Sequence, residues 1–245
     1  MNNNENLENT KMSLYNAEQL ENIKNNPVVK STILSLLKTV PIIGELIDRT
    51  IDVALTKFQE SKRNELLDII LSDSDNITTE MVNDVEFIIN FSKTLDAVNR
   101  LGSNDKVKYF ANVIKNGYFA NEKIDNGEFE EYLFALSTLS YRQINILVDL
   151  YMHEKNNVKE YDGEDETQKD NKLAGRFEPW KDFVDSVITK YSITEEDVVS
   201  ILSSISRTGF CNEITGTYFD YGGGVFYITN SCKRFIRMIA GEIDE

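Results

Sequence analysis

Few side chains in this sequence could carry acid–base, nucleophilic or metal chemistry. Histidine is the usual proton carrier near neutral pH, and the chain has one, His153. It stands beside Glu154 at the expected end of a helix, where an imidazolium would complement the negative end of the helix dipole rather than act on a substrate. The two cysteines, Cys211 and Cys232, with a single histidine, match no zinc finger or ribbon spacing. They flank a glycine-rich stretch and could meet in the fold, but cysteines of a reducing cytosol stay as thiols. The acidic run "DGEDE" at residues 162–166 lacks the alternating ligands and closing glutamate of a calcium loop. Glu195, Glu196 and Asp197 fall in the first turn of an expected helix, where negative charge favours the dipole. No serine lies in a G-x-S-x-G elbow. Gly222 to Gly224 are followed by "VFYIT", a strand pattern, whereas a phosphate loop leads into a helix through Lys and Ser or Thr. These readings assign no catalytic residue, no metal and no cofactor, and they point away from an enzyme.

The composition fits a soluble, cytoplasmic globular protein. The chain has 245 residues, 41% of them hydrophobic and 27% charged, and a formal net charge of -15. The acid excess is even: 14 basic against 22 acidic residues through Leu139, then 12 against 19. No basic module hides within an acidic protein, which argues against a nonspecific grip on nucleic acid. The opening "MNNNENLENTKM" has no basic region leading into an apolar one, so it does not read as a signal peptide. The most apolar segment, residues 28–55, is interrupted by Lys30, Lys38, Glu45, Asp48, Arg49 and Asp52. It is therefore not expected to insert stably in a membrane.

Hydrophobic periodicity predicts a mainly α protein: an N-terminal helical bundle, then a winged-helix-like C-terminal domain with one β-hairpin. Residues 1–12 read as disordered, 13–139 as the bundle, and 140–245 as the second domain, with an acidic insertion over 154–176. In the bundle, a long amphipathic helix starts near Ile42 and runs through "SKRNELLDIIL". Thr78 or Thr79 caps the next helix, which ends at Gly102. A further helix starts at Ser103 and stops at Gly117, and another covers residues 128–138. In the second half, Ser140 and Gln143 form a capping box before "INILVDLYMHE". Residues 178–191 are helical, Thr194 and Asp197 cap the following helix, and Gly209 ends it. "ITGTYFDYGGGVFYIT" then reads as a hairpin turning at "YGGG", and a last helix covers residues 231–241.

The order of three helices, hairpin and helix raises the question of DNA. A reading helix presents Arg, Lys, Asn or Gln to base edges. Here "TEEDVVSILSSISRTG" offers Arg207 at its far end and three acids at its entrance. Lys233, Arg234 and Arg237 form a basic patch on the last helix, next to the acidic tail "GEIDE". A DNA-binding regulator using Arg207, Lys233, Arg234 and Arg237 is the alternative reading. The preferred one is contact with a protein partner or self-association, with Ile43, Leu46, Tyr218, Phe219 and Tyr221 as candidate contact residues. A membrane-acting effector built on residues 36–55 is a second alternative. Its charges are mixed rather than basic, which does not favour anionic lipid.

Several stretches carry a family resemblance. "VPIIGELIDRTID", a long charged amphipathic helix, and "VEFIINFSKTLDAVNRLGSNDKVKYFANVIKNG" are followed by "LFALSTLSYRQINILVDLY", the acidic insertion and "GGGVFYITNSCKRFIRMI". This layout, over roughly residues 28–239, resembles the abortive-infection alpha family of bacterial anti-phage proteins. Tyr227, Ile228, Thr229 and Phe235 stand in the family's closing "Y-x-L-T-x-x-G-x-x-F" flavour, with Cys232 in place of the glycine. The resemblance implies a role in phage resistance and supplies no catalytic residues.

Overall fold

The computed structural model describes residues 32–33, 49–72, 77–119, 124–157, 177–214 and 223–240. Among the described residues it is mainly helical, with one small two-stranded sheet. The chain divides into two compact units, residues 1–137 with 238–245, and residues 138–237. Among the described residues, no helix is long and apolar enough to cross a membrane.

In the first unit, α1 (Arg49–Leu71) is the described part of the expected long helix. Leu66, Leu67 and Ile70 are buried at helical spacing. A short α2 (Thr79–Asn83) is capped by Thr78, whose hydroxyl accepts from Met81 N at 3.2 Å. α3 (Val85–Asn99) starts at Asp84, whose carboxylate accepts from Glu86 N at 2.7 Å. Its inner face is Phe87, Phe91, Leu95 and Val98. α4 (Val107–Ile114) brings Phe110, Ala111 and Ile114 against α1. Each fully buried Leu, Ile or Phe contributes about 1.5–3 kcal/mol by leaving water, so these stripes hold the bundle.

Two expectations fail here. Ser103 does not open α4; its hydroxyl donates to Asp105 at 2.8 Å in a turn, and the helix begins at Val107. Gly117 does not stop the helix, which widens into a π-turn over Lys115–Phe119. A Cβ at Gly117 would come 3.0 Å from the Ile124 side chain, so close packing rather than a left-handed stop explains the glycine. The π-turn is tied to α3 by the fully buried Asn90, which donates to Tyr118 Oη at 2.6 Å. The same amide donates at 2.7 Å to Asn126 Oδ1, at the start of α5 (Asn126–Thr138).

The first unit also buries two cations. Lys62 and Arg63 are 1% and 5% exposed. Lys62 Nζ donates to the Asn99 carbonyl at 2.9 Å and the Leu101 carbonyl at 2.7 Å, and lies 4.5 Å from the centre of the Phe58 ring. Arg63 Nε donates to Asn99 Oδ1 at 2.8 Å. Together they cap the carbonyl end of α3, where positive charge suits the helix dipole.

In the second unit, α6 (Tyr141–Asn157) begins with the expected capping box. Gln143 N donates to Ser140 Oγ at 3.2 Å, and Ser140 N donates to Gln143 Oε1 at 2.8 Å. α7 (Phe177–Tyr191) and α8 (Glu195–Ser206) pack on α6. Their buried rows are Phe183, Val184 and Val187, and Val198, Leu202 and Ile205. Gly209 then takes φ 76°, a left-handed conformation open to glycine at no steric cost.

Strands β1 (Cys211–Glu213) and β2 (Phe226–Ile228) pair antiparallel, with Cys211 opposite Ile228 and Glu213 opposite Phe226. The pairing starts before Ile214, whose N–H donates to the carbonyl of Val225, the residue between Gly224 and β2, at 2.8 Å. β1 thus lies ahead of the stretch from Ile214 that was expected to form the hairpin, and residues 215–222, Tyr221 and Gly222 of the expected turn among them, lie outside the described residues. Helix α9 (Asn230–Ala240) follows; Phe235 stacks on Phe210 at 4.4 Å.

Candidate functional site

The second unit contains both a charged surface and a buried polar cluster. The surface is set by α8. Thr194 Oγ1 accepts from Asp197 N at 3.2 Å, and Asp197 Oδ2 accepts from Thr194 N at 2.9 Å and Thr194 Oγ1 at 2.7 Å. These bonds, the one from the Thr194 backbone foremost, hold the Asp197 carboxyl below its usual value. Its charge is thus fixed at the mouth of α8, beside the exposed Glu195 and Glu196. Arg207 is exposed at the opposite end, as the C-cap. On α9, Arg234 and Arg237 are exposed three residues apart and Lys233 is half-buried. The four cations of the DNA reading therefore occupy the end of α8 and the outer part of α9.

The five residues of the protein-contact reading, Ile43, Leu46, Tyr218, Phe219 and Tyr221, lie outside the described residues, as does most of the acidic insertion. Of the other hairpin aromatics, Phe226 is buried, with its ring centre 6.1 Å from that of Trp180 on α7. It serves the unit's own core.

The buried cluster joins α6 to the sheet and α9. Glu154 is buried, and its Oε1 accepts from Ile228 N at 3.1 Å. Cys211 and Cys232 are free thiols and fully buried. Burial, with the nearby Glu154 charge second, pushes the Cys211 thiol up to about 12. Burial raises Cys232 further, with Cys211 and Glu154 adding to it. Both are protonated at physiological pH, and a buried, protonated thiol is a poor nucleophile. Among the described residues no group of three or more His, Cys, Asp or Glu could hold a metal.

His153 is half-buried on α6. Its Nδ1 lies 3.3 Å from Asn157 Nδ2, its ring centre is 5.6 Å from that of Phe183, and its Nε2 is buried without a partner. The ring is a packing element, held to its own helix.

The sequence reading missed Glu154 and Lys62 because it sorted residues by type. Their spacing carried the signal. Glu154 continues the Leu147, Leu150 face of α6, and Lys62 sits midway between Phe58 and Leu66 on α1. A charge on an apolar face marks a buried polar contact.

No family model, no curated protein and no solved structure matches this chain.

Proposed function

We propose that this protein acts in phage defence of the abortive-infection type, as a sensor, adaptor or effector that works through protein contacts without turnover. In this reading the second unit is a winged helix diverted from DNA, and the setting is the cytoplasm. The order of α6, α7, α8, hairpin and α9 supports the first point. The free thiols support the second.

The observation that carries the protein-contact reading is the acidic mouth of α8. A DNA-reading helix brings its N-terminal turn to the bases. Here that turn presents Glu195, Glu196 and an Asp197 held ionised by its capping bonds. Such an entrance repels phosphate before any base is reached.

The test is phage plating on a bacterium expressing the protein, against an empty vector. Reduced plating for some phages is the expected result, and early loss of host viability would mark abortive infection. Unchanged plating across a broad panel, at normal expression, overturns the defence reading.

A DNA-binding regulator is the second reading, favoured by the exposed Arg234 and Arg237 on one side of α9. It requires that a labelled duplex bind and that binding weaken steeply as salt rises.

A further inference from the structure

Two asparagines of the first unit, Asn116 and Asn126, precede a glycine. In such a pair the glycine nitrogen is unhindered and can close a five-membered ring on the asparagine side chain. The ring closes only when ψ of the asparagine leaves the helical range, so the cost of opening the helix there governs the rate. That cost differs between the two pairs. Asn116 and Gly117 lie inside the helix that runs from α4 through the π-turn. Asn116 Nδ2 donates to the Met238 carbonyl at 2.7 Å, and Gly117 is buried against Ile124. Asn126 is instead the first residue of α5 and Gly127 the second, and both are exposed. Only the Asp125 cap holds that turn: its Oδ1 accepts from Glu128 N at 2.9 Å, and its carbonyl from Phe129 N at 3.0 Å. The Gly127 N–H is among the four that a helix start leaves without a carbonyl. Asn126 Oδ1, meanwhile, is held by Asn90 Nδ2 at 2.7 Å.

We infer that Asn126 is a site of spontaneous deamidation, the labile one of the two pairs. The Gly127 nitrogen attacks Asn126 Cγ and forms the new C–N bond. The negative charge of the tetrahedral adduct falls on Oδ1, which already accepts from Asn90. The side-chain nitrogen then leaves as ammonia with the proton given up by Gly127, and a succinimide remains. Water opens this ring at one carbonyl to aspartate or at the other to isoaspartate. Aspartate keeps an acceptor for Asn90, now charged. Isoaspartate carries the main chain through the former side chain, adds one carbon to it and displaces the first turn of α5. Asn90 is fully buried and its Oδ1 has no partner. With Asn126 displaced, its side chain keeps only the bond to Tyr118, and α5 loses a tie to α3.

The inference does not rest on the phage-defence reading. The experiment ages the purified full chain in warm, mildly alkaline buffer, with and without urea, and follows its tryptic peptides by mass spectrometry. Cleavage after Lys115, Lys123 and Arg142 puts the two pairs on separate peptides. In the folded protein Asn126 should deamidate at least about tenfold faster than Asn116, because a helix end opens at little cost and a helix interior does not. In urea the two rates should converge. Gly127→Ala should slow Asn126 about tenfold and leave Asn116 unchanged, since a methyl group crowds the attacking nitrogen. The aged fraction, separated by its added negative charge, should unfold at lower urea than fresh protein, whereas Asn126→Asp should not. Equal rates at the two sites in the folded protein overturn the inference. So does an Asn126 that stays intact while the urea control reacts, or a Gly127→Ala variant that deamidates at the wild-type rate. Aged protein that unfolds like fresh protein overturns the loosening of α5.

Discussion

The two units each bury charge, but of opposite sign and for opposite partners. In the first, Lys62 gives hydrogen bonds to two backbone carbonyls at the end of α3, with Arg63 holding the Asn99 side chain alongside. In the second, Glu154 takes a hydrogen bond from the backbone N–H of Ile228 on β2. Cations sit where a helix leaves carbonyls over, and a carboxylate sits where a strand offers an N–H. Each ionic group thus completes the backbone of an element far away in sequence. Buried and next to a thiol, Glu154 has the outward marks of an active-site residue. Its geometry accounts for it as a brace.

This contrast can be broken most directly at Lys62. Lys62→Met should keep the packing volume but strand two carbonyls, lowering stability by about 3 kcal/mol in urea unfolding. A loss under about 1 kcal/mol would mean that the lysine is not needed to cap α3. In the second unit, Glu154→Ala should cost about 2 kcal/mol by orphaning the Ile228 N–H. Glu154→Gln retains an acceptor and should recover much of that loss; equal losses for the two would refute the bracing role. Thr194→Ala removes a cap on the exposed end of α8 and should cost about 1 kcal/mol.

The smallest effect vanishes at neutral pH. Cys211 and Cys232 are raised in the folded state, so the unfolded chain releases their protons first. Stability from these thiols is complete below the unfolded value, about 8.5, and is lost as pH climbs toward the folded values. The buried Lys62, whose pKa is lowered by burial, works in the opposite direction. The clean measurement is therefore a difference: a Cys211→Ser, Cys232→Ser double variant should lose stability less steeply than wild type between about pH 8.5 and 11. Identical slopes would show that the thiols do not sense folding.

What the sequence revealed was local. The Ser140–Gln143 and Thr194–Asp197 boxes close within one helical turn, so residue type and spacing determine them, and both form as read. The helical stripes of α7 and α8 were legible for the same reason, whereas on α3 the row turns to Phe87 and Phe91 and leaves Val85 68% exposed. What it hid was nonlocal. Lys62 finds its carbonyls 37 and 39 positions away and Glu154 its N–H 74 away, and no window of periodicity spans those distances. Gly117 looked like a stop because glycine usually frees the backbone; here it yields room to Ile124. The strand Cys211–Glu213 was not read because it has no run of β-branched or aromatic residues, and its pairing with Phe226–Ile228 makes it a strand.

The end of α9 bears on the timing of synthesis. Asn112 Nδ2 donates to the Ile239 carbonyl at 2.6 Å, and Asn116 Nδ2 to the Met238 carbonyl at 2.7 Å, across 127 and 122 positions. These carbonyls belong to the first unit, whose other part ends at residue 137. At the ordinary pace of translation, the ribosome needs roughly ten seconds to supply them after α4 is made. The whole of the second unit is synthesised in that interval. A nascent first unit must therefore wait with two amides of α4 and its π-turn unmatched, and it is during that delay that a chaperone or an early partner has access to it.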